Sequence, residues 1–211
     1  MKKSFFLFCI LFATISYWAQ DSTSIPFEYH NIEEALKFPE KVLRLNLSNQ
    51  EISFAPQLLK KFVNLEYLSL ENDHLSQVPD VILEIKSLRI LDLSGNDFTQ
   101  LPELFYQLKN LEELYLNDEK NLNLRATINT LSRLPKLKSL HLENDRIKVL
   151  PENISKLKDL ESLYLSQNEL KAIPTSIVKM EGLKYLEIHH NQISSTQQKS
   201  YDPSGNMMIK F

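Results

Sequence analysis

Apolar and polar positions recur along this chain in one repeated arrangement. The segments that begin at Val42, Leu65, Leu88, Leu111, Leu137, Leu160 and Leu183 fit the pattern L-x-x-L-x-L-x-x-N-x-L, with some drift at the Asn position. Their spacings are 23, 23, 23, 26, 23 and 23 residues. Because seven copies at nearly constant spacing do not arise by chance, the pattern indicates one structural unit repeated along the chain.

Each unit is predicted to hold one short strand. The last leucines of the pattern alternate with period two, which is typical of a strand with one buried face. Leu68 and Leu70 are therefore expected to point inward, and Tyr67 and Ser69 outward. A proline turn such as Val78-Pro79 follows, and proline ends a strand because it cannot donate to the ladder. Since one unit has nothing to bury its leucines against, we expect the strands to stack into one parallel sheet.

From about Val42 onward the segments resemble the leucine-rich-repeat family. The resemblance implies an α/β fold: a solenoid with a curved parallel β-sheet on the concave face, and short helices and irregular turns on the convex face. It also implies an exported bacterial protein, periplasmic or secreted, that binds a protein partner through the concave face. The sequence offers no recognisable nucleophile or acid–base pair, so we expect no catalytic residues.

The chain divides into three predicted parts. Residues 1–19 have the pattern of a signal peptide, with Lys2 and Lys3 before an apolar run that is too short to span about 30 Å of hydrocarbon. We favour cleavage after Ala19 over Ser16, which leaves no stable membrane anchor. Residues 20–41 form a linker and a capping helix, predicted at 31–37, and residues 42–211 form the repeat domain, with seven repeats and a truncated eighth strand.

Composition narrows the classes of partner. Loss of Lys2 and Lys3 with the signal takes the basic residues from 24 to 22 against 27 acids, so the net charge changes from −3 to −5. A nucleic-acid partner is not expected without an excess of basic residues. Only 3 glycines are present, which argues against Gly-rich phosphate loops, and the single cysteine, Cys9, lies in the signal. We expect no cofactor and no disulfide in the mature chain.

The outward strand positions carry the candidate binding site. Tyr115, His141 and Tyr164 occupy the same position in successive repeats, which predicts an aromatic row across strands spaced about 4.8 Å apart. Exposed tyrosine on a rigid surface is typical of binding sites, although such rings can also fill space and bind nothing. The predicted ligand-binding residues on this face are Tyr67, Glu113, Tyr115, His141, Tyr164, Tyr185 and Glu187.

Other chemistries are less well supported by the sequence. A glycan partner, stacked on the aromatic row, is the alternative to a protein partner. A glycosidase would need two carboxyls about 5–9.5 Å apart and a pocket that raises the pKa of one of them. Carboxylates do crowd the concave side, but a solvated acidic face explains them better. A metal site at His189-His190 is disfavoured because adjacent side chains point in different directions.

Two departures from the pattern lead to further predictions. Asp73 and Asp145 stand at the Asn position, where a carboxylate cannot donate to the backbone, so we expect wetter turns there. The fourth unit has three extra residues, and the helical spacing of Ile128, Leu131 and Leu134 predicts a helix of about two turns. The insertion near Arg125 is an alternative contact surface, or simply a change of length on the convex side.

Overall fold

The computed structural model describes residues 28–51, 55–200 and 207–211, which form one continuous stack of repeats. The predicted signal peptide at 1–19, and the linker up to residue 27, lie outside the described residues.

The strands form a single eight-stranded parallel sheet in chain order. They are β1 (Arg44–Asn46), β2 (Tyr67–Ser69), β3 (Ile90–Asp92), β4 (Glu113–Tyr115), β5 (Ser139–His141), β6 (Ser162–Tyr164), β7 (Tyr185–Glu187) and β8 (Met208–Lys210). Each pairs in register with the next, so that Leu45, Leu68 and Leu91 lie side by side. This confirms the predicted parallel-sheet solenoid and its truncated eighth strand.

The inward leucines form the core, and the face of the sheet that points away from them is the concave face. Leu68 is fully buried, as predicted, and Tyr67 is half-buried. Ser69 alternates outward as predicted, and its side chain is nevertheless only 1% exposed. It lies in register between the larger Asn46 and Asp92, which limit its contact with solvent. Outward direction alone does not secure exposure.

Short helices form the convex side. The α-helices are α1 (Ile32–Ala35), α2 (Leu124–Leu131) and α3 (Ser195–Ser200), and the 3₁₀ helices are Pro39–Lys41, Pro56–Lys61, Asp80–Glu84, Glu103–Gln107, Glu152–Lys156 and Thr175–Lys179. α2 is the helix predicted for the insertion, and it buries Ile128 and Leu131. The three extra residues thus lengthen a convex segment and leave the sheet register unchanged. Within the described residues, none of the helices has the length and apolar character needed to cross a bilayer.

Residues before β1 cover the first layer of the core and pair with the free edge of this strand. α1 begins after Asn31, whose side chain accepts hydrogen bonds from the first-turn N–H groups, and it buries Ala35 in the core. α1 thus lies within the range in which the sequence predicts a capping helix. The sequence analysis missed the contribution of Tyr29, which donates its N–H to the carbonyl of Arg44 at 3.0 Å and accepts from Asn46 at 2.8 Å. Tyr29 therefore pairs with the open edge of β1.

Each strand from β1 to β7 is followed by a residue in the left-handed backbone region. These residues directly precede the Asn position of the repeat, with φ between 53° and 67°: Asn49, Asn72, Gly95, Asp118, Asn144, Gln167 and His190. Asparagine, aspartate and glycine tolerate this conformation better than other residues, which accounts for their frequency here. Glycine has a second reason at Gly95, where a Cβ would lie 1.9 Å from Oδ1 of Asn72.

Asparagine at the Asn position ties the turns of successive repeats together. Asn96 accepts N–H hydrogen bonds from Asp73 at 3.2 Å and Leu75 at 2.9 Å. Its amide nitrogen donates to the carbonyl of Leu93 at 2.7 Å and to a carbonyl of the preceding repeat at 2.9 Å. Asn168 repeats this set of bonds. The asparagine therefore satisfies backbone donors and acceptors at once.

Carboxyl groups at the same position make only the accepting half of this set. Asp73 accepts from two backbone N–H groups and Asp145 from one, the N–H of Glu119 at 2.7 Å. Both side chains are buried, and within the described chain Oδ2 of each has no hydrogen-bond partner. Burial raises the pKa of Asp145 to about 8 and that of Glu119 to about 7. A proton on the carboxyl is therefore an alternative to the wetter turns that the sequence predicts, because the protonated group donates as an amide does.

Candidate functional site

The candidate site is the central part of the concave face. Three side chains per repeat point outward here: the first and last residues of the strand and the second residue after it, as in Tyr67, Ser69 and Glu71 for β2. Over the six strands from β2 to β7, three positions each give eighteen outward positions. Five of these are carboxylates and none is lysine or arginine; the carboxylates are Glu71, Asp92, Glu113, Glu143 and Glu187.

The aromatic row predicted from the repeats forms a stack. The ring centroids of Tyr115 and His141 are 3.8 Å apart with the planes at 13°, and those of His141 and Tyr164 are 4.0 Å apart at 5°. The parallel strands bring the three rings together because they occupy the same register position. His141 is only 7% exposed, since each of its faces is covered by a tyrosine. The row is therefore closed at its centre, while the two tyrosines that flank His141 are partly exposed.

Glu113 connects the stack by hydrogen bonds. Its Oε1 accepts from the hydroxyl of Tyr115 at 2.8 Å and lies 2.9 Å from Nε2 of His141. The hydrogen bond with His141 lowers the pKa of Glu113, although burial acts in the opposite direction. Burial and the bond to Glu113 raise the pKa of Tyr115. Glu113 is therefore held as a carboxylate, and both rings beside it are fixed in orientation.

A second tyrosine–carboxylate pair continues the surface toward the last strands. The ring of Tyr185 lies 5.5 Å from that of Tyr164 at a tilt of 51°. Its hydroxyl donates to Glu187 at 2.5 Å, and this bond raises the pKa of Tyr185 to about 12. Glu187 also pairs with Lys210 at 3.1 Å. Although burial opposes it, the pKa of Glu187 is lowered by these bonds.

Tyr67 is not part of the stack. The side chains of β3 separate it from Tyr115, and the Arg44 guanidinium lies over its ring, 3.8 Å from the centroid. Arg44 also forms a salt bridge with Glu28 at 3.0 Å. The sequence-predicted residues thus form one joined group from Glu113 to Glu187, with Tyr67 in a separate cluster at the first strands.

One row of charges on the concave side was missed by the sequence analysis. It lies at the residue before each strand, where Arg89 pairs with Glu112 at 2.8 Å and with Glu66 at 3.7 Å. Glu161 pairs with Lys138 at 3.1 Å and with Lys184 at 2.6 Å. Opposite charges at the 23-residue repeat spacing are the signal that would have revealed these pairs. The acidic and basic side chains of this row neutralise each other, whereas the outward strand positions beside it carry carboxylates and no lysine or arginine.

The histidine pair after β7 does not form part of a larger ligand set. His189 Nδ1 lies 2.5 Å from His190 Nδ1, and His189 Nε2 lies 2.6 Å from Glu187. Among the described residues, no group of three or more histidine, cysteine, aspartate or glutamate side chains is arranged to hold a metal ion. The chemistry of the site therefore rests on tyrosine rings and carboxylates.

Models of leucine-rich repeats match most of the described chain. A model described as "Leucine-rich repeat region" matches residues 36–139, and one described as "Leucine rich repeat" matches residues 129–193. Together they span the part of the chain that carries β1 to β7. A comparison with curated proteins finds no match.

Solved structures with the same fold come from an insect, a bacterium and a plant. A chain of the Drosophila Toll–Spatzle complex aligns with a TM-score of 0.63 at 16% identity, over 78% of this chain and 22% of that chain. An internalin (inlF) of Listeria monocytogenes gives 0.59 at 20% identity, over 80% and 47%. The plant peptide hormone receptor RGFR1, in complex with RGF2, gives 0.51 at 20% identity, over 81% and 28%. At these identities the likeness shows the fold, and this chain covers less than half of each.

Proposed function

Given that the chain folds as a leucine-rich-repeat solenoid, we propose that it is a protein-binding module without catalytic activity and that the concave face makes the contact. With the signal peptide predicted at residues 1–19, the module acts outside the cytoplasm, in the periplasm or as a secreted protein. The proposal rests on the surface between β4 and β7, where two hydrogen-bonded tyrosine–carboxylate pairs are connected by contacting aromatic rings.

The observation that carries the proposal is that the side chains of this surface are held in fixed orientations. Tyr115 and Tyr185 are each fixed by a hydrogen bond to a carboxylate, and Tyr164 is held between His141 and Tyr185. Side chains that are already fixed lose little conformational entropy when a partner covers them. Tyrosine also contributes a large contact area with few rotatable bonds, which is why it is frequent at binding hot spots.

The structural neighbours support a protein partner. Two of them were solved in complexes, one with Spatzle and one with RGF2. Stacked repeats provide an extended surface on which an extended or folded partner makes many small contacts. For this chain we propose the same general mode of use, with its own residues setting the choice of partner.

A glycan partner is supported less well by the geometry. Sugars stack on the face of an aromatic ring, whereas Tyr115 and Tyr164 each turn one face toward His141 at 3.8 Å and 4.0 Å. The stack therefore offers mainly ring edges and polar groups to a ligand above the sheet. Ring edges and carboxylates suit the mixed polar and apolar surface of a protein.

The carboxylates also support a role without catalysis. A glycosidase needs one carboxylic acid whose pKa is raised so that it donates a proton to the leaving group. The pKa of Glu113 is instead lowered by its hydrogen bond with His141. The carboxyls whose pKa values are raised most, Asp145 and Glu119, are buried beneath the turns, away from the concave surface.

Affinity capture from the native cell envelope and secreted fraction tests the proposal. The chain from residue 20 is compared with a concave variant, Tyr115→Ala/His141→Ala/Tyr164→Ala. The matched control is Val63→Ala/Leu104→Ala/Val149→Ala, which removes three exposed apolar side chains outside the sheet face. Unchanged circular dichroism and an unchanged unfolding midpoint are required of both variants.

We expect a protein that is retained by the wild type and the control and lost from the concave variant. Equal retention by the concave variant would contradict the use of this face. Retention of a glycan and no protein would favour the alternative ligand class. If no variant retains anything, the module has no partner in these fractions and the proposal fails.

A further inference from the structure

We propose that the partner of the concave face contacts it with a basic polypeptide segment, rich in lysine or arginine, that lies across the strands from β2 to β5. This inference rests on the proposed function and names the chemistry of the partner. Three independent features of the face carry it: the charges it holds, the absence of lysine and arginine partners at its centre among the described residues, and the cations that the chain itself places at both ends.

The charge of the face is one-sided. Glu71, Asp92, Glu113 and Glu143 lie on four successive repeats, while no lysine or arginine occupies an outward position from β2 to β7. With strands about 4.8 Å apart, four neighbouring repeats span about 14 Å. An extended segment has alternate side chains about 6.6–6.8 Å apart, so three basic residues at alternate positions match this span.

The basic side chain in contact with the central carboxylates is that of His141, which lies 2.9 Å from Glu113 and 3.8 Å from Glu143. Within the described residues, no lysine or arginine forms a salt bridge with Glu71, Glu113 or Glu143. Burial, together with the charges of Asp92 and Asp118, raises the pKa of Glu71. A cation that approached from solvent would relieve this repulsion, which makes the centre of the face favourable for a basic partner.

The residues that directly precede the strands form a neighbouring row in which acidic side chains are paired with basic ones, unlike those of the concave face. At the residue before each strand, Glu112 and Glu161 are paired with Arg89, Lys138 and Lys184. The same repeats therefore place counter-charges in one row and leave them out of the next. A merely acidic protein would show no such contrast between adjacent rows.

Both ends of the face already hold a cation in the arrangement proposed for the centre. At the first strands, Arg44 lies over the Tyr67 ring at 3.8 Å and pairs with Glu28 at 3.0 Å. At the last strands, Lys210 pairs with Glu187 at 3.1 Å, beside Tyr185. Tyrosine next to a carboxylate thus receives a cation at both ends. The centre, with Tyr115, Tyr164 and their neighbouring carboxylates, repeats the surface without supplying the cation.

Direct binding of two defined peptides tests the inference. The probes are fluorescent peptides of about ten residues, one with lysine alternating with serine to match the strand spacing and one with glutamate in place of lysine. Fluorescence anisotropy is measured with the chain from residue 20, at about 20 mM and about 500 mM NaCl, because salt screens exposed charge pairs. We expect the lysine peptide to bind, the glutamate peptide not to bind, and binding to weaken at high salt.

Two triple variants with the same change of charge locate the contact. Glu71→Gln/Glu113→Gln/Glu143→Gln removes three carboxylates from the centre of the face, and we expect it to weaken lysine-peptide binding on the order of tenfold. Glu66→Gln/Glu112→Gln/Glu161→Gln removes three from the neighbouring row, and we expect a change of about twofold or less. Equal loss in both variants, equal binding of both peptides, or no binding at low salt would overturn the inference.

The outcome separates this inference from the proposed function. A protein captured through the aromatic stack that is indifferent to salt and to the central triple variant would leave the binding module in place and refute the basic segment. Failure of the capture experiment refutes the binding module itself, whatever the peptides do.

Discussion

Asp145 and Glu143 stand two residues apart in the same repeat, yet their carboxyl groups meet opposite surroundings. Asp145 lies under the turn, where Oδ1 accepts the N–H of Glu119 at 2.7 Å and Oδ2 has no partner among the described residues. Glu143 lies on the concave face, with 31% of its side chain exposed and His141 at 3.8 Å. Burial raises the pKa of Asp145 to about 8.

The difference shows how one repeat separates stability from recognition. Side chains beneath the turn satisfy backbone groups, so their chemistry is constrained by the fold. Side chains that point out of the strand meet only their register neighbours and solvent, so they are free to vary. Changes beneath the turns should therefore alter the free energy of unfolding, and changes on the concave face should alter binding.

The largest effect is expected from Asn168→Ala, beneath the turns. The substitution removes the side-chain oxygen that accepts hydrogen bonds from the N–H groups of Asp145 and Ile147. It also removes the amide nitrogen that donates to the carbonyls of Leu142 and Leu165. Since each buried backbone group left unpaired costs about 1–3 kcal/mol, we expect the free energy of unfolding to fall by about 3 kcal/mol or more. Urea denaturation followed by circular dichroism measures it. A loss below about 1 kcal/mol would contradict the structural role of the asparagine.

A smaller effect, opposite in sign and dependent on pH, is expected from Asp145→Asn. The folded-state pKa of Asp145 is raised to about 8 from its ordinary value of 3.8. A raised pKa means that the contribution to stability is present below about pH 4 and is lost as pH rises through about 8. The amide donates at every pH, so the variant should be more stable than the wild type by about 1–3 kcal/mol near pH 9.

Urea denaturation of both proteins at about pH 5 and about pH 9 checks this prediction. The two should nearly coincide at the acidic pH, where the carboxyl of Asp145 holds a proton and can donate. The pH dependence should decrease in the variant without vanishing, because burial also raises the pKa of Glu119 to about 7. A variant less stable than the wild type at both pH values would refute the protonated carboxyl.

The smallest effect on stability is expected from Glu143→Gln, the matched change on the concave face. This carboxyl belongs to a partly exposed side chain, and its closest ionic contact is a 3.8 Å approach to His141. Exposed pairs of this kind contribute about 0–1 kcal/mol, so the free energy of unfolding should change by less than about 0.5 kcal/mol at either pH. A pH-dependent change as large as that of Asp145→Asn would remove the distinction between the two regions.

The repeat pattern was sufficient to predict the sheet. Leucines at fixed offsets are buried by any stack of these units, so their spacing sets the strand positions, the register and the helix of the insertion. The capping helix was also recognisable, since Asn31 before a short amphipathic segment is a common helix start. These features depend on periodicity and local chemistry alone.

The state of individual outward side chains was harder to predict. The register of the strands was sufficient to place Tyr115, His141 and Tyr164 in one row. Whether the rings in such a row stack on each other depends on their orientation, which the sequence does not show. Here they stack, and His141 is buried between the two tyrosines. Ser69 was predicted to point outward, and it is nevertheless buried, because the size of neighbouring side chains matters as well as direction. The lack of a donor at Asp145 was visible in the sequence, whereas the raised pKa depends on burial that only the structure shows.

Site-specific photo-crosslinking tests the proposed use of the concave face most directly. A benzophenone amino acid is placed at the position of Tyr164, on the sheet, or at the position of Arg125, on the exposed side of α2. The proteins are irradiated in the cells that naturally produce this chain, and adducts are identified by mass spectrometry. The account predicts a protein adduct from position 164 and none from position 125. An adduct from position 125 alone would assign recognition to the insertion helix and contradict the account.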